Sequence, residues 1–154
     1  MSRCQIFKTS KEYIIVTSSE TEDWIWVADE PIFRVPVENA DSRLIEPVLN
    51  ALKSSRVDIP NIPMEAKAAW QKEILKKMGQ PSFARLYEIS NSCSVRRDTN
   101  GKVEVSPYKP FTPGKLSSGL TVAKEDVVLL DMKFSSVSDL ESTLIEILNR
   151  DYKR

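Results

Sequence analysis

Histidine is absent from the 154-residue chain, cysteine occurs twice and glycine four times. Each shortage removes a class of chemistry. Without imidazole there is no Ser-His-Asp or Cys-His nucleophile, and no side-chain base whose ordinary pKa lies near neutrality. Histidine-containing zinc sites go as well, and Cys4 and Cys93 alone do not complete a four-thiolate site. The glycines, Gly79, Gly101, Gly114 and Gly119, match neither a dinucleotide fingerprint nor a P-loop. No apolar run approaches the ~20 residues of a membrane helix, and the first residues carry no long apolar segment of a secretion signal. The expectation is a soluble, cytoplasmic protein that keeps Cys4 and Cys93 as free thiols, with no cofactor and no membrane partner.

Charge is balanced in total, with 22 acidic and 22 basic residues, but not along the chain. Residues 20–46 carry eight acids (Glu20, Glu22, Asp23, Asp29, Glu30, Glu38, Asp41 and Glu46) against Arg34 and Arg43. Residues 53–115 carry twelve basic and six acidic side chains. A chain without net positive charge lacks the footprint of a nucleic-acid binder, so no direct nucleic-acid contact is expected. The acidic stretch is either a solvated face or a surface for a basic partner.

Gln5–Lys8, Tyr13–Thr17 and Trp24–Val27 are β-branched and aromatic runs between turn-forming residues and read as strands. Ile32–Val35, flanked by Pro31 and Pro36, reads as an edge strand or an ordered connector. Leu44, Val48, Leu49 and Leu52 follow helical spacing, with Asn39 or Asp41 as N-cap and Pro47 delaying the regular part to about Glu46. A stiff linker over Ile59–Pro63 precedes a helix over Glu65–Met78 that stops at Gly79. Ser82–Tyr87 is a short amphipathic piece, and Asp98-Thr99-Asn100-Gly101 turns a hairpin between Cys93–Arg97 and Lys102–Val105. Pro107–Ser118 reads as a mobile loop, and Leu120–Ala123 and Val127–Met132 as strands. The last helix carries a Ser138/Glu141 capping-box pattern and a stripe of Leu140, Leu144, Ile145, Ile147 and Leu148. The order predicts a single α+β domain over residues 1–154, a mainly antiparallel sheet with helices packed against it. Ile15, Phe83, Val95, Val105, Leu144 and Leu148 should lie in the core.

Candidate sites are few. On a regular strand Trp24 and Trp26 share one face and Ile25 and Val27 the other, either as core or as interface anchors beside Glu22 and Asp23. Glu22-Asp23 and Asp29-Glu30 are paired carboxylates, but neighbours on a strand diverge and no third ligand accompanies them. Arg96-Arg97 on the hairpin suits a phosphate or carboxylate contact, and the two arginines would lower the pKa of Cys93. No base stands ready to serve that thiol, so an enzyme is not expected.

A helix followed by Gly79-Gln80-Pro81-Ser82-Phe83, an amphipathic stretch ending in Leu86-Tyr87, then Ser92-Cys93-Ser94-Val95, a hairpin, Val103-Glu104-Val105-Ser106-Pro107 and a proline-rich loop form a distinctive order. Over residues 40–115 it resembles the immunity proteins of bacterial contact-dependent growth inhibition systems, the CdiI-type family. The resemblance implies a cytoplasmic, non-enzymatic protein that binds and neutralises the C-terminal toxin domain of its own system. Such toxins are often nucleases with basic clefts, which an acidic inhibitor surface suits. The residues expected to meet the toxin are Glu20, Glu22, Asp23, Trp24, Trp26, Asp29 and Glu30. A small nucleic-acid-binding or adaptor module remains the alternative, and a carboxylate- or Cys93-dependent enzyme comes after it.

Overall fold

The computed structural model describes residues 1–38 and 44–152, and for residues 116–118 the backbone alone. The described residues form seven strands: β1 (Ser2–Lys8), β2 (Glu12–Glu20), β3 (Trp26–Pro36), β4 (Asn91–Arg97), β5 (Lys102–Thr112), β6 (Lys115–Val122) and β7 (Val128–Asp131). Four α-helices accompany them: α1 (Ile45–Ser54), α2 (Lys67–Met78), α3 (Phe83–Ile89) and α4 (Val137–Leu148). The sheet order is β3-β2-β1-β4-β5-β6, with β7 also paired to β5, and every strand pairing is antiparallel. This is the α+β architecture expected from the sequence.

Side-chain alternation divides the core into two. Cys4, Ile6, Tyr13, Ile15, Cys93, Val95, Val103 and Val105 point to one face, where α1 supplies Val48 and Leu52 and α4 supplies Leu140, Leu144 and Leu148. Phe7, Ile14 and Val16 point to the other, under Ile74 and Met78 of α2 and Leu86 of α3. β2 is therefore buried on both sides, which is why it reads as the near-continuous run Tyr13-Ile14-Ile15-Val16. Of the six expected core residues, Ile15, Val95, Val105, Leu144 and Leu148 are fully buried, and Phe83 is half-buried against the second cluster.

Four expectations need correction. Trp24 and Ile25 do not belong to a strand: β3 starts at Trp26 and runs unbroken through Pro31, joining two segments that the prolines separate in the sequence. Trp24 lies at φ 62°, in a turn closed by Trp24 N–H to Thr21 carbonyl and Thr21 N–H to Ile25 carbonyl, both 2.9 Å. Trp24 and Trp26 therefore do not share a strand face. The second correction concerns Pro107–Ser118, which is no mobile loop but most of the β5–β6 hairpin. Pro110 is tolerated because the register slips between Pro110 and Thr112, where a missing N–H leaves no gap in the ladder. Third, the capping box of α4 is Ser136 with Asp139, not Ser138 with Glu141. Asp139 N–H donates to Ser136 Oγ at 3.1 Å and Ser136 N–H to Asp139 Oδ2 at 2.7 Å. Fourth, Cys93 lies wholly inside the first core, where burial raises its thiol pKa and the nearby Cys4 raises it further. The two arginines do not lower it. Both cysteines are free thiols.

β3 is an edge strand and α1 begins at Ile45, as expected, whereas the Asn39 and Asp41 caps fall outside the described residues. Gly79 closes α2 in the left-handed conformation at φ 68°. Among the described residues no helix is long and apolar enough to cross a membrane.

Candidate binding surface

The linker after α1 clasps the base of the β2–β3 turn. Ile59 forms a parallel bridge with Thr21, Ile59 N–H donates to Glu20 carbonyl at 3.1 Å, and Glu22 N–H donates to Ile59 carbonyl at 2.9 Å. Thr21 is buried, and its hydroxyl accepts from Ile25 N–H at 3.2 Å. Asn61 then fixes both acids of the turn: its backbone N–H donates to Glu22 Oε1 at 3.3 Å and its Nδ2 to Asp23 Oδ2 at 2.7 Å. A short, braced turn thus carries two carboxylates and, beside them, an indole that nothing covers.

Trp24 is 79% exposed, Ile25 59% and Met64 79%, so three large apolar side chains face solvent. Between the turn and α2 lies an open cleft of about 320 Å³. Ile25, Val27, Ile62 and Trp70 form its apolar walls, and Asp23 and Lys67 bring opposite charges to its edge. Apolar walls with a few polar groups at the rim are the composition of protein-binding and ligand-binding concavities.

The seven residues expected to meet a partner separate into three groups. Glu22, Asp23 and Trp24 share the braced turn. Glu20 and Trp26 are register partners on the sheet, where the Arg3 guanidinium lies 5.7 Å from the centre of the Trp26 ring. Asp29 and Glu30 are engaged within the fold. Asp29 Oδ2 accepts from Ser19 Oγ at 2.6 Å and from Arg56 Nη2 at 2.9 Å, and Glu30 pairs with Lys77. Asp29 and Glu30 therefore brace β3 against the segment that follows α1 and against α2. The residues that sequence reasoning missed are Ile25, Ile62, Met64 and Trp70. Ile62 between two prolines was the available signal, since an isoleucine in a stiff linker has little core to enter.

The carboxylate pairs converge on no common point, because Glu22 and Asp23 turn toward Asn61 whereas Asp29 and Glu30 turn toward different cations. Among the described residues no three of His, Cys, Asp and Glu are grouped to hold a metal ion. The Cys4 thiol is pushed up to about 12, mainly by burial, which Arg3 and Arg97 only partly offset. Such a thiol is protonated and unreactive at neutral pH.

No known protein family matches the sequence, and no curated protein is significantly similar to it. Solved structures do match. A protein of unknown function from Neisseria meningitidis superposes with a TM-score of 0.71 at 18% identity, covering 97% of this chain and 94% of that one. A chain of the CdiA-CT/CdiI toxin and immunity complex from Yersinia pseudotuberculosis superposes with a TM-score of 0.63 at 18% identity, covering 96% of this chain and 95% of that one. Over nearly its whole length, the chain shares its fold with both of these structures.

Proposed function

We propose that this chain is an immunity protein. It binds the C-terminal toxin domain of a contact-dependent growth inhibition effector in the cytoplasm and blocks it without catalysis of its own. The observation that carries the reading is the braced turn. It presents an uncovered tryptophan after two fixed carboxylates, between Asp23 and Ile25, which line a largely apolar cleft, in a chain that shares its fold with part of a toxin and immunity complex. Tryptophan is among the residue types enriched at interface hot spots, and carboxylates beside it speed the approach of a basic partner. A nuclease has such a basic surface, because its substrate is a polyphosphate. Contact of Glu20, Glu22, Asp23, Trp24 and Trp26 with the toxin belongs to the same proposal, whereas Asp29 and Glu30 act indirectly by holding β3.

The test is co-expression in a bacterial host with the toxin domain encoded beside this chain. The expected result is restored growth and a one-to-one complex on size-exclusion chromatography. Growth arrest that the chain does not relieve, with two separate peaks on the column, would refute the proposal.

A further inference from the structure

The sheet carries a second feature that the braced turn does not use. Arg3 on β1 and Arg96 on β4 are register partners, and therefore lie side by side on one face. Directly opposed cross-strand residues have Cβ atoms about 4.5–5.5 Å apart, and like charges so placed repel. Neither guanidinium has an ion-pair partner among the described residues. Glu104 is the register partner of Arg96 on the other side, yet its Oε1 accepts instead from Ser106 Oγ at 3.2 Å.

Arg3 is not left to wander. Its guanidinium lies over the Trp26 ring, and Nη2 donates to Tyr108 Oη at 2.7 Å. Tyr108 is on β5, with β4 lying between it and β1, so this tether crosses above Ser94, which is 6% exposed. Arg96 is exposed next to the tethered group. One arginine is thus held in place and the other is able to close on whatever it holds.

We propose that Arg3 and Arg96 form a receptor for one carboxylate of the partner protein, an acidic side chain that bridges the two guanidiniums and removes their repulsion. The inference rests on the immunity reading in that the carboxylate belongs to the toxin domain. Planar guanidinium forks match a planar carboxylate. The flanking charges select the same ligand. Glu104 beside Arg96 and Glu20 beside Trp26 oppose a phosphate or a nucleic-acid strand more strongly than a single negative charge. Trp26 and Tyr108, both half-buried at the rim, are residue types enriched in protein interfaces.

Isotope-labelled protein titrated with glutarate, inorganic phosphate and neutral acetamide tests the site without any toxin. Glutarate should give saturable shifts of the Arg3 and Arg96 Nε–H and Trp26 indole resonances, phosphate should bind more weakly and acetamide should have no effect. Arg96→Gln, at an exposed position, and Tyr108→Phe, which keeps the ring but drops the tether, should each weaken glutarate about tenfold. Glu104→Gln should narrow the gap between glutarate and phosphate. Phosphate binding more tightly than glutarate, or no saturable shift with glutarate, overturns the inference. In the toxin complex Arg96→Gln should lower affinity about tenfold. An unchanged affinity overturns the inference and leaves the immunity reading standing. Saturable glutarate binding by a chain that forms no toxin complex has the opposite meaning.

Discussion

At the scale of single residues, Gly79 and the two cysteines are governed by physics that the linear sequence only half discloses. Gly79 reads as a helix stop from its place after Met78 and before Pro81. The structure adds a second demand: a Cβ there would lie 2.6 Å from Arg34 Nη1, and Arg34 is itself held by Glu12 at 2.9 Å and 3.1 Å through Nε. Gly79→Ala should therefore cost about 1–2 kcal/mol for the left-handed backbone, with a smaller addition for moving the flexible end of Arg34 off Glu12. In an Arg34→Ala background only the backbone part should remain, and a double-mutant cycle by urea denaturation measures the difference. Cys4 and Cys93 supply the second case. Both thiols ionise at a higher pH in the folded chain than in the unfolded one, so between about pH 9 and pH 12 the unfolded state has lost protons that the folded state retains. Stability is accordingly whole below pH 9 and falls as pH rises above it, by at most about 1.4 kcal/mol per pH unit for each thiol. Unfolding midpoints measured at pH 8, 9 and 10 should decline, and a variant with both cysteines replaced by alanine should decline less.

At the scale of elements, the clearest test separates two serines of one helix. Ser136→Ala should cost about 0.5–2 kcal/mol, because Ser136 Oγ satisfies the N–H of Asp139, whereas Ser138→Ala should stay within about 0.5 kcal/mol. Both patterns fit a capping box in the sequence. The chain selects Ser136 because starting there still places Leu140, Leu144, Ile147 and Leu148 on the core, and the first turn then uses Asp139 as its acid. Elsewhere the elements were legible where one local signal dominated. The alternation of β4 and β5, the turn ending at Gly101 with φ 82°, and the stop at Gly79 all follow from residues within a few positions of each other. Elements were misread where proline argued locally against a strand and long-range pairing overruled it. Pro31 lies within the edge strand β3 where its register shifts, and Pro110 lies at a register shift of β5, positions that need fewer donors. The candidate site was legible only in part for a related reason. A braced turn depends on Ile59 and Asn61 returning from almost 40 positions away, at Asn61 to Asp23, and nothing near Trp24 announces that contact.

For the whole molecule, the distribution of charge matters more than its sum of zero. The acids that looked like one surface divide into a pair held outward at the turn and a pair already neutralised by Arg56 and Lys77. Neutralising Asp29 or Glu30 should then loosen β3 and lower the melting temperature, with toxin binding affected only through that loss. Neutralising Glu22 and Asp23 removes charge that a partner meets first, so it should slow association. The slowing should fade with added salt, because the Debye length falls from ~10 Å at 0.1 M to ~3 Å at 1 M. Trp24→Ala acts on the other rate. Its indole is 79% exposed in the free chain, so truncation should leave stability within about 0.5 kcal/mol. If the indole is desolvated in the complex, the variant dissociates faster, by the equivalent of about 2 kcal/mol or more. Stopped-flow association and dissociation with the toxin domain, at several salt concentrations, separates the two effects. A Trp24→Ala variant with unchanged dissociation would move the anchor away from the turn, to the sheet face that carries Trp26 and Tyr108.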